Sequence, residues 1–164
     1  KTVVDQHVSG QMKIAPEHCD PYDLGLMGKP WQKALSGIRQ LFFELSEKAG
    51  KKQYLTYYLI AAHPGCSEKE MKDLKSFTSQ KLGINPEQVQ IFTPTPSTYS
   101  SLMYYTEQDP FTGQPIFVEK DPIRKQRQKD IVTEKAPVKH GILHNSPIAG
   151  RKSRTKTYRS KQRK

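Results

Sequence analysis

Apolar and polar positions along the chain alternate between two periods. Residues 54–62 (Tyr-Leu-Thr-Tyr-Tyr-Leu-Ile-Ala-Ala) carry no charge and are rich in aromatic and β-branched types, which predicts a parallel strand buried on both faces. The run stops at Pro64-Gly65. Ser67 and Glu70 then stand three apart, the spacing of a capping box, and Met71, Leu74, Phe77 and Leu82 supply one apolar helix face that ends at Gly83. Upstream, Val8–Ile14 reads as a strand, followed by a long loop and a helix that opens with Pro30. Its stripe is Trp31, Leu35, Ile38, Phe42, Leu45 and Ala49, and Gly50 is the stop. Downstream, Val89–Phe92 reads as a third short strand, Thr93–Pro96 as its exit loop and Ser97–Tyr105 as a short helix. Three strand–helix alternations predict an α/β fold of parallel βαβ units joined by right-handed crossovers. In such folds ligands bind at the carboxyl ends of the strands, which singles out the turn His63–Cys66.

Composition divides the chain further. Of 164 residues only 8–106 look able to bury a core, so residues 1–109 are read as one unit, 110–150 as an extension and 151–164 as a tail. Residues 120–164 hold 15 Lys or Arg against 3 Asp or Glu, whereas residues 1–119 are near balance at 12 against 13, so the net charge of +11 lies in the last quarter. Within 151–164 eight of fourteen residues are basic and Tyr158 is the only bulky apolar group. That segment buries too little to offset its chain entropy and is expected to be disordered. Pro110, Pro115, Pro122, Pro137 and Pro147 suggest that 110–150 is an extended connector. Cys19 and Cys66 are too few to staple a secreted domain, and no apolar run approaches the roughly 20 residues that span a bilayer. A cytoplasmic setting without membrane association is expected.

Three segments, Gly10–His18 (Gly-Gln-Met-Lys-Ile-Ala-Pro-Glu-His), Tyr57–Ser67 (Tyr-Tyr-Leu-Ile-Ala-Ala-His-Pro-Gly-Cys-Ser) and Val89–Thr98 (Val-Gln-Ile-Phe-Thr-Pro-Thr-Pro-Ser-Thr), resemble consecutive strand–loop segments of the YgiQ family of radical SAM proteins. The likeness covers roughly residues 5–109. Ile14–His18 resembles the Ile-Gly-Val-Glu-Ser type motif of the superfamily's fourth strand, and Ile60–Glu68 its fifth-strand Gly-Phe-Pro-Gly-Glu-Thr motif. His63, Cys66 and Ala62 depart from it, standing where the broader motif has an apolar residue, Glu and Gly. The resemblance implies a partial (β/α) barrel holding a 4Fe-4S cluster and S-adenosylmethionine at its strand ends, with reductive cleavage of the cofactor producing a radical on an unidentified substrate. Cluster ligation in such proteins uses a Cys-x3-Cys-x2-Cys loop after the first strand. This chain has none, so it reads as strands four to six plus tail of a longer protein, inactive as a fragment.

On that resemblance Lys13 and Glu17 are candidates for the cofactor's carboxylate, ammonium or ribose hydroxyls, or else form a structural ion pair. Pro64 and Gly65 offer backbone without side-chain obstruction. His63 is either a hydrogen-bonded turn residue or, with Cys66, half of a metal site that His18-Cys19 could face across the strands. Zinc would accept two His and two Cys, though structural zinc ligands usually recur at closer spacings, and Cys66 is alternatively a small buried group. Thr95, with Thr93 and Thr98, offers hydroxyls or serves caps and turns. Arg151, Lys152, Arg154, Lys156, Arg159, Lys161, Arg163 and Lys164 suit RNA or DNA phosphates without sequence readout, or are a solvated tail. A nucleic-acid-binding protein on an α/β scaffold and a non-catalytic α/β interaction domain are the alternatives to a radical enzyme. The unpaired edge of the Val8–Ile14 strand is expected to favour self-association.

Overall fold

A computed structural model describes residues 1–29 and 32–134. The predicted helix start at Pro30-Trp31 and the basic segment 151–164 lie outside the described residues. The fold is α/β, with one three-stranded parallel sheet in the order β1 (Gln11–Glu17), β2 (Tyr54–Ala61), β3 (Gln90–Ile91). Six-residue α1 (Pro21–Leu26) and α2 (Gln32–Lys48) join the first two strands. Helix α3 (Glu68–Phe77), extended by a π-helical turn Thr78–Leu82, joins β2 to β3, and α4 (Tyr99–Thr106) and α5 (Pro122–Thr133) follow. A π-helical turn Val3–His7 precedes β1.

Strand alternation decides what the sheet buries. Met12, Ile14, Leu55 and Tyr57 pack with Phe42 and Leu45 of α2 and with Val4 and Val8. Leu59 and Ala61, of the same parity, pack with Met71 and Leu74 of α3 and Val132 of α5. The opposite face carries Lys13, Thr56, Tyr58 and Ile60, and none of these enters either core cluster. Lys13 pairs with Thr56 and Ile60 with Gln90 in the ladder, so one mixed polar and aromatic surface runs across all three strands. The uninterrupted apolar run of β2 reads as buried on both faces, whereas Thr56, Tyr58 and Ile60 are only half-buried. Aromatic bodies with polar tips explain why the run lacks charge without being core. Along α2 Phe42 is buried and Leu35, Leu45 and Ala49 are half-buried, while Ile38 is 48% exposed.

The helix start after β2 is built as the spacing predicts. Ser67 Oγ accepts from the Lys69 N–H at 3.2 Å, and Glu70 Oε2 accepts from the Ser67 N–H at 3.0 Å, a reciprocal capping box. A second polar pin fixes the amino end of the chain. Buried Gln53 donates through Nε2 to the carbonyls of Val4 (3.0 Å) and Val8 (2.5 Å) and accepts from Ser46 Oγ at 2.7 Å.

The expectation of an extended connector over 110–150 fails in its first half. Phe117 C=O accepts from the Gly65 N–H at 2.7 Å, and α5 follows, capped by Asp121, whose Oδ1 accepts from the N–H groups of Ile123 and Arg124 at 2.8 and 2.9 Å. Gln128, 1% exposed, accepts the Ala62 N–H on Oε1 at 3.0 Å and donates Nε2 to the Cys66 C=O at 3.3 Å, while Val132 is fully buried in the α3 cluster. Proline at the first helical position starts a helix rather than breaking one, so Pro122 opens α5.

Helix α1 closes the other side of the same turn. Gly65 has φ +100°, and a Cβ there would sit 2.4 Å from Leu26 Cδ1 and 3.2 Å from Asp23 Oδ1. Three stability outcomes follow from these contacts. Gln128→Leu leaves two buried backbone groups unpaired and lowers unfolding free energy by about 2–4 kcal/mol in urea titration, since each orphaned group costs about 1–3 kcal/mol. Gly65→Ala costs about 2 kcal/mol or more through backbone strain and the clash with Leu26. Gly113→Ala, at φ +71° with nothing within 4 Å, bears the strain alone, so a thermal midpoint falling equally in both variants would exclude the α1 contact.

The cap titrates as well. Burial raises the Glu70 carboxyl, but hydrogen bonds from the Ser67 hydroxyl and the backbone outweigh it and bring it down to about 2 from 4.5. Its stabilisation is therefore complete above pH 4.5 and lost as pH falls from there toward 2. Glu70→Gln removes that acid limb, worth roughly 1 kcal/mol for a helix cap, from the stability–pH curve.

Candidate functional site

Strands β1 and β2 close alike on a non-glycine residue with left-handed backbone: Glu17, the last residue of β1, at φ +64° and Ala62, the residue after β2, at φ +56°. Such conformations cost free energy and persist where the surroundings impose them. At Ala62 the backbone N–H is taken by the buried Gln128 side chain. Glycine is the residue that takes a positive φ without strain. A register shift between Ile14 and Glu17 accompanies the β1 ending. Glu17 is held by Lys29, with Nζ 3.0 Å from Oε1, and its side chain is 17% exposed.

The sequence-predicted residues separate into three places. Lys13 lies in the amino-terminal half of β1, on the open sheet face, with Nζ 5.9 Å from the Tyr58 ring centroid. There it lines a cleft of about 670 Å³ with Thr56, Tyr58, Glu87, Gln90 and Lys129. Glu17 stands four residues farther along the strand, roughly 13 Å of extended chain away. His63, Pro64 and Gly65 form the turn after β2 and are packed under α1, α4 and the chain at Phe117. His63 is 2% exposed. Its Nδ1–H donates to the Pro64 carbonyl and its Nε2 accepts from the Ser100 hydroxyl, both at 2.8 Å, with the ring edge-on to Phe92 at 5.1 Å. Burial lowers its pKa, against the raising effect of the Pro64 carbonyl. It serves the turn, the plainer of its two readings. Thr95 is exposed, and its backbone N–H donates to Ser101 Oγ at 2.8 Å. Thr98 is the N-cap of α4, its Oγ1 accepting from the Ser101 N–H at 3.2 Å.

The carboxyl ends of β1 and β2 bring together a different set. His18 Nε2 lies 3.6 Å from Cys66 Sγ, and His18 Nδ1 lies 3.3 Å from Asp23 Oδ2 while accepting the Asp20 N–H at 3.1 Å. Exposure is 1%, 0% and 0% for His18, Asp23 and Cys66. Burial drives each toward its neutral form. The His18 imidazole is lowered to about 4, with Asp20 and Glu70 opposing, and the Asp23 carboxyl is raised to about 7 by burial and then by Asp20 and Glu70. The Cys66 thiol is pushed up by burial, reinforced by Asp23 and Glu70. Of the four-residue arrangement considered from sequence, His18 and Cys66 meet. His63 turns toward Ser100, and Cys19 joins the apolar cluster around Leu59 and Val89, its thiol raised to about 12 by burial and nearby Asp20. Asp23 was missed. The signal was present in Asp20-Pro21, a capping residue before a first-turn proline; Asp20 Oδ1 accepts the Tyr22 and Asp23 N–H groups, which places Asp23 on a helix over His18.

Among the described residues no helix is long and apolar enough to cross a membrane. No solved structure matches the chain. A family described as "Domain of unknown function (DUF3362)" matches residues 87–158, running across the boundary drawn at 109/110 and including all of α5. A UPF0313 protein of Fusobacterium nucleatum is 64% identical over 135 residues, 82% of this chain and 24% of the relative. A UPF0313 protein of Clostridium perfringens is 40% identical over 92% of this chain and 23% of its own length, and one of Methanosarcina acetivorans 39% identical over 85% and 19%. The chain thus spans about a quarter of the length of the relatives it matches. With the strand–loop motifs at Gly10–His18, Tyr57–Ser67 and Val89–Thr98 set in one parallel sheet, it belongs to the UPF0313 family, the family of YgiQ.

Proposed function

We propose that this chain supplies the carboxyl-terminal strands of a radical SAM enzyme, and that its strand ends form one side of the site for S-adenosylmethionine. One observation carries the reading: three consecutive parallel strands each end in a matching motif, and one face of their sheet is left clear of the apolar helix packing. That face bears Lys13, Thr56, Tyr58 and Gln90, the mixture expected where a barrel lumen holds a polar cofactor rather than a packed core.

The donor sets fit the two cofactors unequally. Cluster ligation needs three thiolates, and Cys19 and Cys66 are both buried with raised thiol pKa values. They do not fit a 4Fe-4S cluster, whose ligands belong to a Cys-x3-Cys-x2-Cys loop elsewhere in the full-length protein. For S-adenosylmethionine the fit rests on the Glu17 carboxylate, which accepts from an ammonium or a hydroxyl pair, and on the exposed Thr95, whereas Lys13, roughly 13 Å back along the strand, stands apart from this strand-end pair. Bound next to a reduced cluster, this cofactor supplies an adenosyl radical that removes hydrogen from a substrate. Glu17 is pre-oriented by Lys29 and by its fixed backbone. His63, Pro64 and Gly65 contribute by holding the turn in place, since Leu26 already fills the space beside Gly65. Two cysteines that form no disulfide and an oxygen-sensitive cluster suit a reducing cytoplasm.

The test uses the full-length protein, purified without oxygen. About four irons per chain, an absorbance bleached by dithionite, and formation of 5′-deoxyadenosine from S-adenosylmethionine are expected. Glu17→Gln should weaken cofactor binding about tenfold, equivalent to about 1.4 kcal/mol, with iron content unchanged. A protein that binds no iron refutes the reading. Unaltered affinity in Glu17→Gln removes this strand end from the cofactor site.

A further inference from the structure

Under α1, three metal-ligating side chains from three separate segments converge without solvent exposure. His18 follows β1, Asp23 lies on α1, and Cys66 directly precedes the N-cap of α3. One donor atom from each lies within 4.8 Å of the other two. The His18 Nε2 to Cys66 Sγ separation is 3.6 Å and the His18 Nδ1 to Asp23 Oδ2 separation 3.3 Å. Tetrahedral zinc, with bonds of about 2.3 Å to sulfur and about 2.0–2.1 Å to nitrogen, sets an S–N edge of about 3.5 Å, which the Nε2–Sγ separation matches. Asp23 faces the other ring nitrogen and reaches the ion only after a small rearrangement.

A second observation points to a ligand. The Asp23 side chain is wholly buried, and neither carboxyl oxygen has a partner in full hydrogen-bond geometry: Oδ2 stands across from a His18 nitrogen that already accepts the Asp20 N–H, and the Cys66 thiol is near enough to act on the carboxyl. Buried carboxyl groups are ordinarily satisfied, because leaving one unpaired costs several kcal/mol. A cation supplies what the protein does not.

We propose that His18, Asp23 and Cys66 bind a zinc ion that ties the end of β1, helix α1 and the β2–α3 turn together. The donor set selects the metal. A thiolate disfavours magnesium and calcium, and imidazole with thiolate and carboxylate is a zinc set. Thiolate and carboxylate together balance the 2+ charge, so the loaded site is neutral, as its burial requires. Because one ion takes one ring nitrogen, the imidazole turns or the Asp23 carboxyl swings along its edge on loading. The fourth position goes to water. This site is independent of the radical SAM reading: it has one thiolate where a cluster needs three, and zinc and iron are measured separately.

The experiment is metal analysis of the full-length protein expressed with zinc and purified without oxygen. One zinc per chain is expected, lost in Cys66→Ser and in His18→Gln while the iron content stays at the wild-type value. X-ray absorption at the zinc edge of the wild-type protein should show one sulfur neighbour at about 2.3 Å with nitrogen or oxygen at about 2.0 Å; this readout decides the matter even if either variant fails to fold. Wild-type protein without zinc, zinc without a sulfur neighbour, or full zinc retention in Cys66→Ser each overturns the site.

Discussion

The end of β2 is enclosed on every side, and backbone polar groups enclosed in that way must be paired within the protein. Sheet pairing cannot do it, because at Ala62 the chain leaves the strand with a left-handed backbone. The remedy comes from 66 residues away in sequence: the Gln128 amide takes the Ala62 N–H and gives to the Cys66 carbonyl. Phe117 meets the Gly65 N–H in the same way. These bonds make residues 110–134 part of the strand-end architecture. Everything else at this end, including His63 against Ser100, the capping box of α3 and the stacking of α1 on Gly65, depends on a turn that is held from outside its own unit.

That dependence explains what could be read from the sequence. Elements with local signatures were legible: the charge-free run of β2, the Ser67–Glu70 box, the Gly50 and Gly83 stops. The predicted β1 ran too early by three residues at each end because Val8 fits strand composition, yet Val8 belongs to the cluster with Val4 and Phe42. Helix α5 was not legible, since its packing face combines Val132 with the polar Gln128 while Ile123 is 80% exposed. No apolar stripe marks such a face. What buries Gln128 is its pairing with distant backbone groups, a property of tertiary structure alone.

The candidate site divides on the same line. Glu17, His63, Pro64 and Gly65 stand out in the sequence because they sit at strand ends, where chain grammar points. Their roles were not legible, because a histidine's role is set by what its two nitrogens meet. His63 meets a carbonyl and a hydroxyl and closes a turn, whereas His18 meets a thiol and a carboxyl. Asp23 became part of the site through the N-cap at Asp20, a local device that determines where α1 lies and hence which carboxylate covers His18.

The two faces of the sheet make opposite demands on the sequence. Where α2, α3 and α5 pack, Leu55, Leu59 and Ala61 alternate without exception. On the other face a sheet meant to be covered by more helices would repeat that composition, and a face meant for bulk water would carry more charge. Lys13, Thr56, Tyr58, Ile60 and Gln90 do neither. One aromatic ring with a hydroxyl tip, a second hydroxyl, one cation and an amide suit a surface that is screened from bulk water yet must solvate a polar molecule, as the interior of a barrel holding a small ligand does. The composition of this face therefore favours completion of the sheet by further strands around a polar occupant over stacking of a second apolar layer.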